Sequence, residues 1–75
     1  MDITKDNTPR IMVAIRKALG LSQAEMAKLS GISRQMLSYY ETGANVPTTH
    51  SLDSWLLAIK LEINKLKEEI GRAHF

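Results

Sequence analysis

The sequence predicts an all-α fold, a compact domain of four to five helices with an extended C-terminal helix. No alternating β-branched run and no hairpin turn pair is present, which argues against strands. Apolar residues recur at helical spacing, and a glycine follows each of the first three helical segments, at Gly20, Gly31 and Gly43. The length of 75 residues suits one small domain.

The first helix is expected to follow a flexible arm formed by residues 1–7. Thr8 and Pro9 are typical of an N-cap followed by a proline in the first turn. The helix should end near Leu19, before Gly20. The stripe expected to face the core consists of Ile11, Ala14, Ile15 and Ala18.

Two short helices are expected next, at about 23–30 and 34–42. Ser22 is the predicted N-cap of the first, and Glu25 three residues later would complete a capping box. Ser33 is the predicted N-cap of the second, and a cap hydroxyl can also meet a phosphate.

These two helices, joined through a glycine, have the geometry of a helix-turn-helix. Ala27 supplies the small residue that a close crossing needs, and Gly31 tolerates the positive φ of the turn. The apolar residues expected to fill the angle are Met26, Ile32, Leu37 and Tyr40. Those left facing outward are Arg34, Gln35, Ser38, Tyr39 and Thr42.

The last helix should start after Thr48, a plausible N-cap that follows a loop over residues 44–47. No glycine or proline then interrupts the chain before Gly71, so the helix could reach Ile70. Its first turns place Trp55 beside Leu52 and Ile59, where they would close the core.

Composition excludes several classes of function. The chain has no cysteine, and His50 and His74 are too far apart in sequence to form a ligand pair, so no metal site is expected. Neither a glycine-rich phosphate loop nor a nucleophile with its base is visible, which indicates no enzyme, cofactor or small-molecule ligand. The polar N-terminus and the lack of a long apolar run predict a soluble, cytoplasmic chain with no membrane partner.

The net charge is +2, and the excess is confined to residues 1–50, with six Lys/Arg against four Asp/Glu. Such a balance permits nucleic acid as a partner without requiring it.

The stretch from Leu21 to Gly43 resembles the DNA-binding domain of phage repressors and Cro proteins. The resemblance extends from about Ile11 to Ile59. Its motif consists of Leu21-Ser22-Gln23, the step from Ala27 to Gly31, the ending Tyr40-Glu41-Thr42-Gly43, and Pro47.

The resemblance implies that the helix at 34–42 is a recognition helix, which enters the DNA major groove. It also implies a phosphate contact at Gln23 and an ion pair between Arg16 and Glu41 that ties the first helix to the third. The matching positions make Arg34, Gln35, Ser38 and Tyr39 base-facing, and Thr42 and Asn45 backbone-contacting. With the Ser33 cap, the expected DNA-binding residues are therefore Gln23, Ser33, Arg34, Gln35, Ser38, Tyr39, Thr42 and Asn45.

The side-chain chemistry suits these roles unequally. Arg34 can donate two hydrogen bonds to guanine, and Gln35 can pair with adenine. Tyr39 can stack, meet a thymine methyl group or bond a phosphate, and the sequence does not choose among them. Met36 is apolar and could either touch a thymine methyl group or pack under the helix.

The fourth helix departs from the family pattern, in which a glycine ends a shorter helix. Its apolar residues recur at steps of four and three, as in a coiled-coil seam, at Leu52, Leu56, Ile59, Ile63, Leu66 and Ile70. In a parallel pair, Glu62 could meet Lys67 of the partner subunit. The alternative is a helix that bends back so that the seam packs on its own domain. The expected dimer interface consists of Ile59, Ile63, Leu66 and Ile70.

The sequence thus predicts a DNA-binding domain at residues 8–58 and a dimerisation segment at 59–75. The expected function is that of a sequence-specific transcriptional regulator, a repressor, which binds double-stranded DNA as a homodimer. Its two recognition helices would lie ~34 Å apart on a pseudo-palindromic operator. Two alternatives remain open: an antitoxin that represses its own operon and binds a toxin, and a dimerising adaptor that does not bind DNA.

Overall fold

The computed structural model describes residues 7–72. It confirms an all-α fold with an extended last helix. The four helices are α1 (Thr8–Ala18), α2 (Gln23–Ser30), α3 (Arg34–Thr42) and α4 (Thr49–Arg72). The expected arm, apart from Asn7, lies outside the described residues.

Helix α1 differs from its prediction at its start and on its buried face. Its N-cap is Asn7, so Thr8 is the first helical residue and is buried. Met12 is fully buried, whereas Ala14 and Ala18, predicted to face the core, are exposed. The buried residues Thr8 and Met12 and the exposed residues Ala14 and Ala18 are each four apart, as one face of a helix requires. Methionine buries far more apolar area than alanine does, which favours the face with Met12.

The capping signals of α2 and α3 are confirmed. The Ser22 hydroxyl accepts a hydrogen bond from the Glu25 backbone N–H at 3.0 Å, and the Glu25 carboxylate accepts one from the Ser22 N–H at 2.9 Å. The Ser33 hydroxyl accepts from the Met36 N–H at 3.1 Å. Gly31 ends α2 with φ +68°, a left-handed conformation that glycine adopts without steric cost.

The core lies where all four helices meet, with α1 packed on α3, and α2 packed on both α3 and α4. The four largest fully buried side chains are Met12, Met26, Leu37 and Trp55. Ala27 is also buried, as a close crossing of α2 requires. The predicted residues of the helix-turn-helix angle therefore do fill it, although Ile32 is only partly buried.

Helix α4 closes the core with its first turns and then runs past it. Its 24 residues span about 36 Å, since an α-helix rises ~1.5 Å per residue. Trp55, Ala58 and Ile59 are buried, and the helix continues unbroken to Arg72 with no bend back onto the domain. Ile59 was expected in a dimer interface, yet its side chain belongs to the core and is only 7% exposed. Within residues 7–72, no helix has the length and apolar character needed to cross a membrane.

Candidate nucleic-acid interface

Helix α3 has one face in the core and one in solvent. Leu37 and Tyr40 are buried, and the Tyr40 hydroxyl donates to the Ser51 hydroxyl on α4 at 3.2 Å. Arg34 and Gln35, one turn earlier, are exposed. The buried face anchors the helix, so the outward side chains are presented from a fixed backbone.

The first turns of α3 carry a hydrogen-bonded pair of outward side chains. The Gln35 amide nitrogen donates to the Tyr39 hydroxyl at 2.8 Å. Both side chains are exposed, and they lie four residues apart, which places them on the same side of the helix. The contact was not among the expectations from the sequence, although a spacing of four residues on a helix favours it.

The end of α3 is tied to the following loop. The Asn45 backbone N–H donates to the Tyr39 carbonyl at 3.3 Å, and its side-chain amide contacts the Met36 sulfur at 3.6 Å. Thr42 turns its hydroxyl back onto the carbonyl of Ser38 at 3.0 Å. Met36 is 36% exposed, so it lies at the outer surface of α3 rather than underneath it.

A buried ion pair joins α1 to the end of α3, as expected. Arg16 donates from Nε to Glu41 Oε2 at 2.8 Å and from Nη2 to Oε1 at 3.0 Å, a bidentate arrangement. Its third donor, Nη1, bonds the Leu21 carbonyl at 2.9 Å. The side chains of Arg16 and Glu41 are only 12% and 3% exposed.

Gln23 joins this cluster, which the sequence did not indicate. Its amide nitrogen donates to Glu41 Oε1 at 3.1 Å, so the first residue of α2 is linked to the end of α3. An amide nitrogen carries two N–H donors, and this bond uses one of them. The cluster fixes the N-terminus of α2 relative to α3.

The structure brings seven of the eight expected DNA-binding residues together on α3, its N-cap and the loop that follows it. Gln23 is the exception, since it lies on α2 and reaches α3 only through Glu41. Ser38 is half-buried, and Ser33 serves as the cap. Among residues 7–72, no group of acidic residues and histidines is placed to hold a metal ion.

Electrostatics at the N-terminus of α2 involve Glu25. The hydrogen bonds that the Glu25 carboxylate makes with the Ser22 backbone N–H and with the Ser22 hydroxyl hold its pKa below the ordinary value. Lys28 and Arg34 are exposed cations within the helix-turn-helix, and Lys17 is an exposed cation just before it.

The helix-turn-helix family matches residues 13–66, most of the chain. The chain belongs to the phage repressor and Cro-type helix-turn-helix family. Members of this family are DNA-binding transcription regulators.

A curated relative of this helix-turn-helix protein comes from a phage. It is the ImmF control region 10 kDa protein of Bacillus phage phi105, which is 44% identical over 52 residues. The match covers 69% of this chain and 58% of that protein, so the chain spans little more than half the length of this relative. No solved structure matches the chain.

Proposed function

We propose that this protein is a repressor that inserts α3 into the major groove of a pseudo-palindromic operator and does so as a homodimer. The observation that carries the proposal is the polar surface at the start of α3. Arg34 and Gln35 stand exposed there, while the opposite face of the same helix is locked in the core. An exposed helix start is the part of a recognition helix that reaches base edges.

The chemistry of these two side chains fits base reading. Arginine donates a bidentate pair of hydrogen bonds to guanine O6 and N7, and glutamine pairs with adenine N6 and N7. Arg34 and Gln35 therefore supply sequence preference in the proposed complex, with Ser38 and Tyr39 further along the same side.

Contacts with the phosphate backbone of DNA would set the register of α3 on the duplex. We propose that the N-terminal amides of α2, with the remaining amide donor of Gln23, meet one phosphate. Thr42 and Asn45, at the C-terminal end of the recognition helix, would meet another, and the Ser33 cap hydroxyl, at its N-terminal end, would also lie near the DNA backbone. Occupation of an operator by such a surface would block transcription, and a relative is named for a phage control region, where such a regulator would act.

Selection of bound duplexes from a random pool tests this function. We expect a symmetric site whose half-sites lie about 10 base pairs apart, with affinity that falls steeply as salt rises. Enrichment of no sequence at all would contradict base reading. An asymmetric site would contradict the homodimer.

The dimer proposal rests on the exposed end of α4. Leu56, Ile63, Leu66 and Ile70 are 39%, 41%, 43% and 63% exposed. They follow one another along a single side of the helix at steps of seven, three and four. Because monomeric proteins rarely expose a long apolar stripe, we propose that a second copy of α4 covers it.

The packing of α4 shifts the proposed contact towards the C-terminus. Ile59 is already covered by its own core, so most of the contact lies from Ile63 onwards, and Leu56 extends the stripe towards the N-terminus of α4. Glu62 Oε1 lies 3.6 Å from Nζ of Lys65 on the same helix, and the Glu62 side chain is only 17% exposed. Both observations weaken the expected pairing of Glu62 with Lys67 of the partner subunit. The apolar residues therefore carry more of the proposed parallel contact than the charges do.

Two matched substitutions test this interface. Leu66→Lys puts a charge in the proposed seam, whereas Leu61→Lys puts the same charge on another side of α4, where Leu61 is 55% exposed. Sedimentation at micromolar concentration should show a dimer for wild type and Leu61→Lys and a monomer for Leu66→Lys. If Leu61→Lys is the monomer instead, or if wild type is monomeric, the seam is not the dimer contact.

A further inference from the structure

We infer that Tyr39 is a positioning residue that orients the Gln35 amide for reading adenine, an inference that rests on the proposed role of α3. The hydrogen bond from the Gln35 amide nitrogen to the Tyr39 hydroxyl, 2.8 Å long, already exists in the protein alone. Tyr39 thus acts on the base through Gln35, in addition to any contact of its own with DNA.

The donor and acceptor inventory of the pair supports this role. A glutamine amide has two N–H donors and one carbonyl oxygen. One donor of Gln35 is used by Tyr39. The second donor and the oxygen remain, and these are the two groups that adenine N7 and N6 require.

Orientation matters because the oxygen and the nitrogen of a glutamine amide occupy equivalent positions and have similar size. A rotation of 180° exchanges the oxygen and the nitrogen, and the order of donor and acceptor along the groove is then reversed. The observed bond sets the amide nitrogen towards Tyr39. Because a hydroxyl can donate as well as accept, this orientation is favoured when the Tyr39 O–H donates in another direction. The Gln35 side chain is also restricted before it meets DNA, so less of its freedom is lost on binding.

The hydroxyl of Tyr39 completes the arrangement. Because its oxygen accepts from Gln35, its own O–H is left to donate in another direction. The Tyr39 backbone is held as well, since its carbonyl accepts from the N–H of Asn45 at 3.3 Å. The backbone that carries the positioning group is therefore tied to the loop that follows α3.

Removal of a single oxygen tests the inference. Tyr39→Phe deletes the hydroxyl and keeps the ring, and Tyr40→Phe is the matched control, because the buried Tyr40 hydroxyl bonds Ser51 and not Gln35. The sites bound by each variant are compared with those of the wild type by selection from a random duplex pool. Loss of one neutral hydrogen bond should reduce the preference for adenine at one base pair of each half-site by about two- to tenfold. Tyr40→Phe should leave the preference unchanged.

A double-substitution cycle separates positioning from an independent contact. In a Gln35→Ala protein, Tyr39→Phe should cause no further change at that base pair, because the residue it positions is gone. If Tyr39→Phe has the same effect with and without Gln35, or none with Gln35 present, the positioning role is wrong while α3 can still read DNA. If Gln35→Ala itself leaves the adenine preference intact, the proposed base reading by Gln35 is wrong too.

Discussion

The helix-turn-helix over residues 22–43 and the last turns of α4 over residues 60–72 use similar residues to opposite effect. In the first region, Leu37 is fully buried, and the charge of Glu41 is matched by Arg16. In the second, Leu66 and Ile70 are exposed, and Glu62 pairs with Lys65, whose side chain is 67% exposed.

The difference shows which surface is complete and which needs a partner. Caps and burial hold the helix-turn-helix together, and the side chains exposed at the start of α3, Arg34 and Gln35, are polar and suit a polar ligand. The apolar side chains at the end of α4 receive little cover from their own domain, because Ile59 is the last buried residue of the core. An apolar surface of this kind is stabilised by burial against another protein. The first region therefore suits DNA, and the second suits a second protein chain.

The largest effect is expected in the buried ion pair. Glu41→Gln removes the charge that Arg16 faces, and an unpaired buried charge costs ~3–5 kcal/mol in the free energy of unfolding. Denaturant unfolding followed by fluorescence of the buried Trp55 measures this loss. The protein concentration is kept constant, because dimerisation would contribute to stability.

The surface pair on α4 provides the control for that experiment. Lys65 is 67% exposed, so Lys65→Gln should change the free energy of unfolding by only ~0–1 kcal/mol. If both substitutions cost a similar amount, burial does not distinguish the two pairs.

A smaller change in stability is expected when a glycine is replaced by alanine in each of the two regions. Gly31→Ala forces alanine into a left-handed conformation and should destabilise the fold by ~1–2 kcal/mol. Gly71→Ala lies in the last turn of α4, where alanine is the better helix former, and should stabilise it by up to ~1 kcal/mol. Thermal unfolding of the two variants should therefore shift in opposite directions. A shift in the same direction would mean that the turn of the helix-turn-helix is not held in the conformation described.

The smallest effect is a dependence of stability on pH. The Glu25 pKa is lowered in the folded protein, so its carboxylate stabilises the fold above the ordinary value of 4.5. That contribution should be lost as pH falls below 4.5 and through the folded pKa. Glu25→Gln should flatten this part of the stability profile, whereas Glu68→Gln, on the exposed side of α4, should leave it as in the wild type. Equal profiles for Glu25→Gln and wild type would show that the capping box is not formed.

Local signals made most of the fold predictable. Ser22, Ser33 and Thr48 act as caps, as predicted, because a cap depends on residues only three positions apart. Gly31 and Gly43 end their helices with positive φ for a reason that is equally local. The ion pair of Arg16 with Glu41 spans 25 residues, and only the family resemblance indicated it.

The side-chain contacts of the candidate site were less predictable. Gln23 was expected at a phosphate, but its distance to Glu41 depends on how α2 meets the end of α3, and spacing along the chain does not contain that angle. The burial of Ile59 had a similar cause. Ile59 lies on both the core stripe and the seam of α4. The position of the helix on the domain decides whether the core or a partner helix covers it.

Binding of single-base variants of the selected operator tests most directly whether α3 reads DNA. Arg34→Ala and Gln35→Ala should each cost ~1–3 kcal/mol and relax the preference at one base pair. Gln23→Ala should weaken binding to all sequences alike, because a phosphate carries no base identity. Its bond to Glu41 also supports the fold, so binding is measured well below the melting temperature. An unchanged base preference in both Arg34→Ala and Gln35→Ala would show that α3 is not the recognition helix.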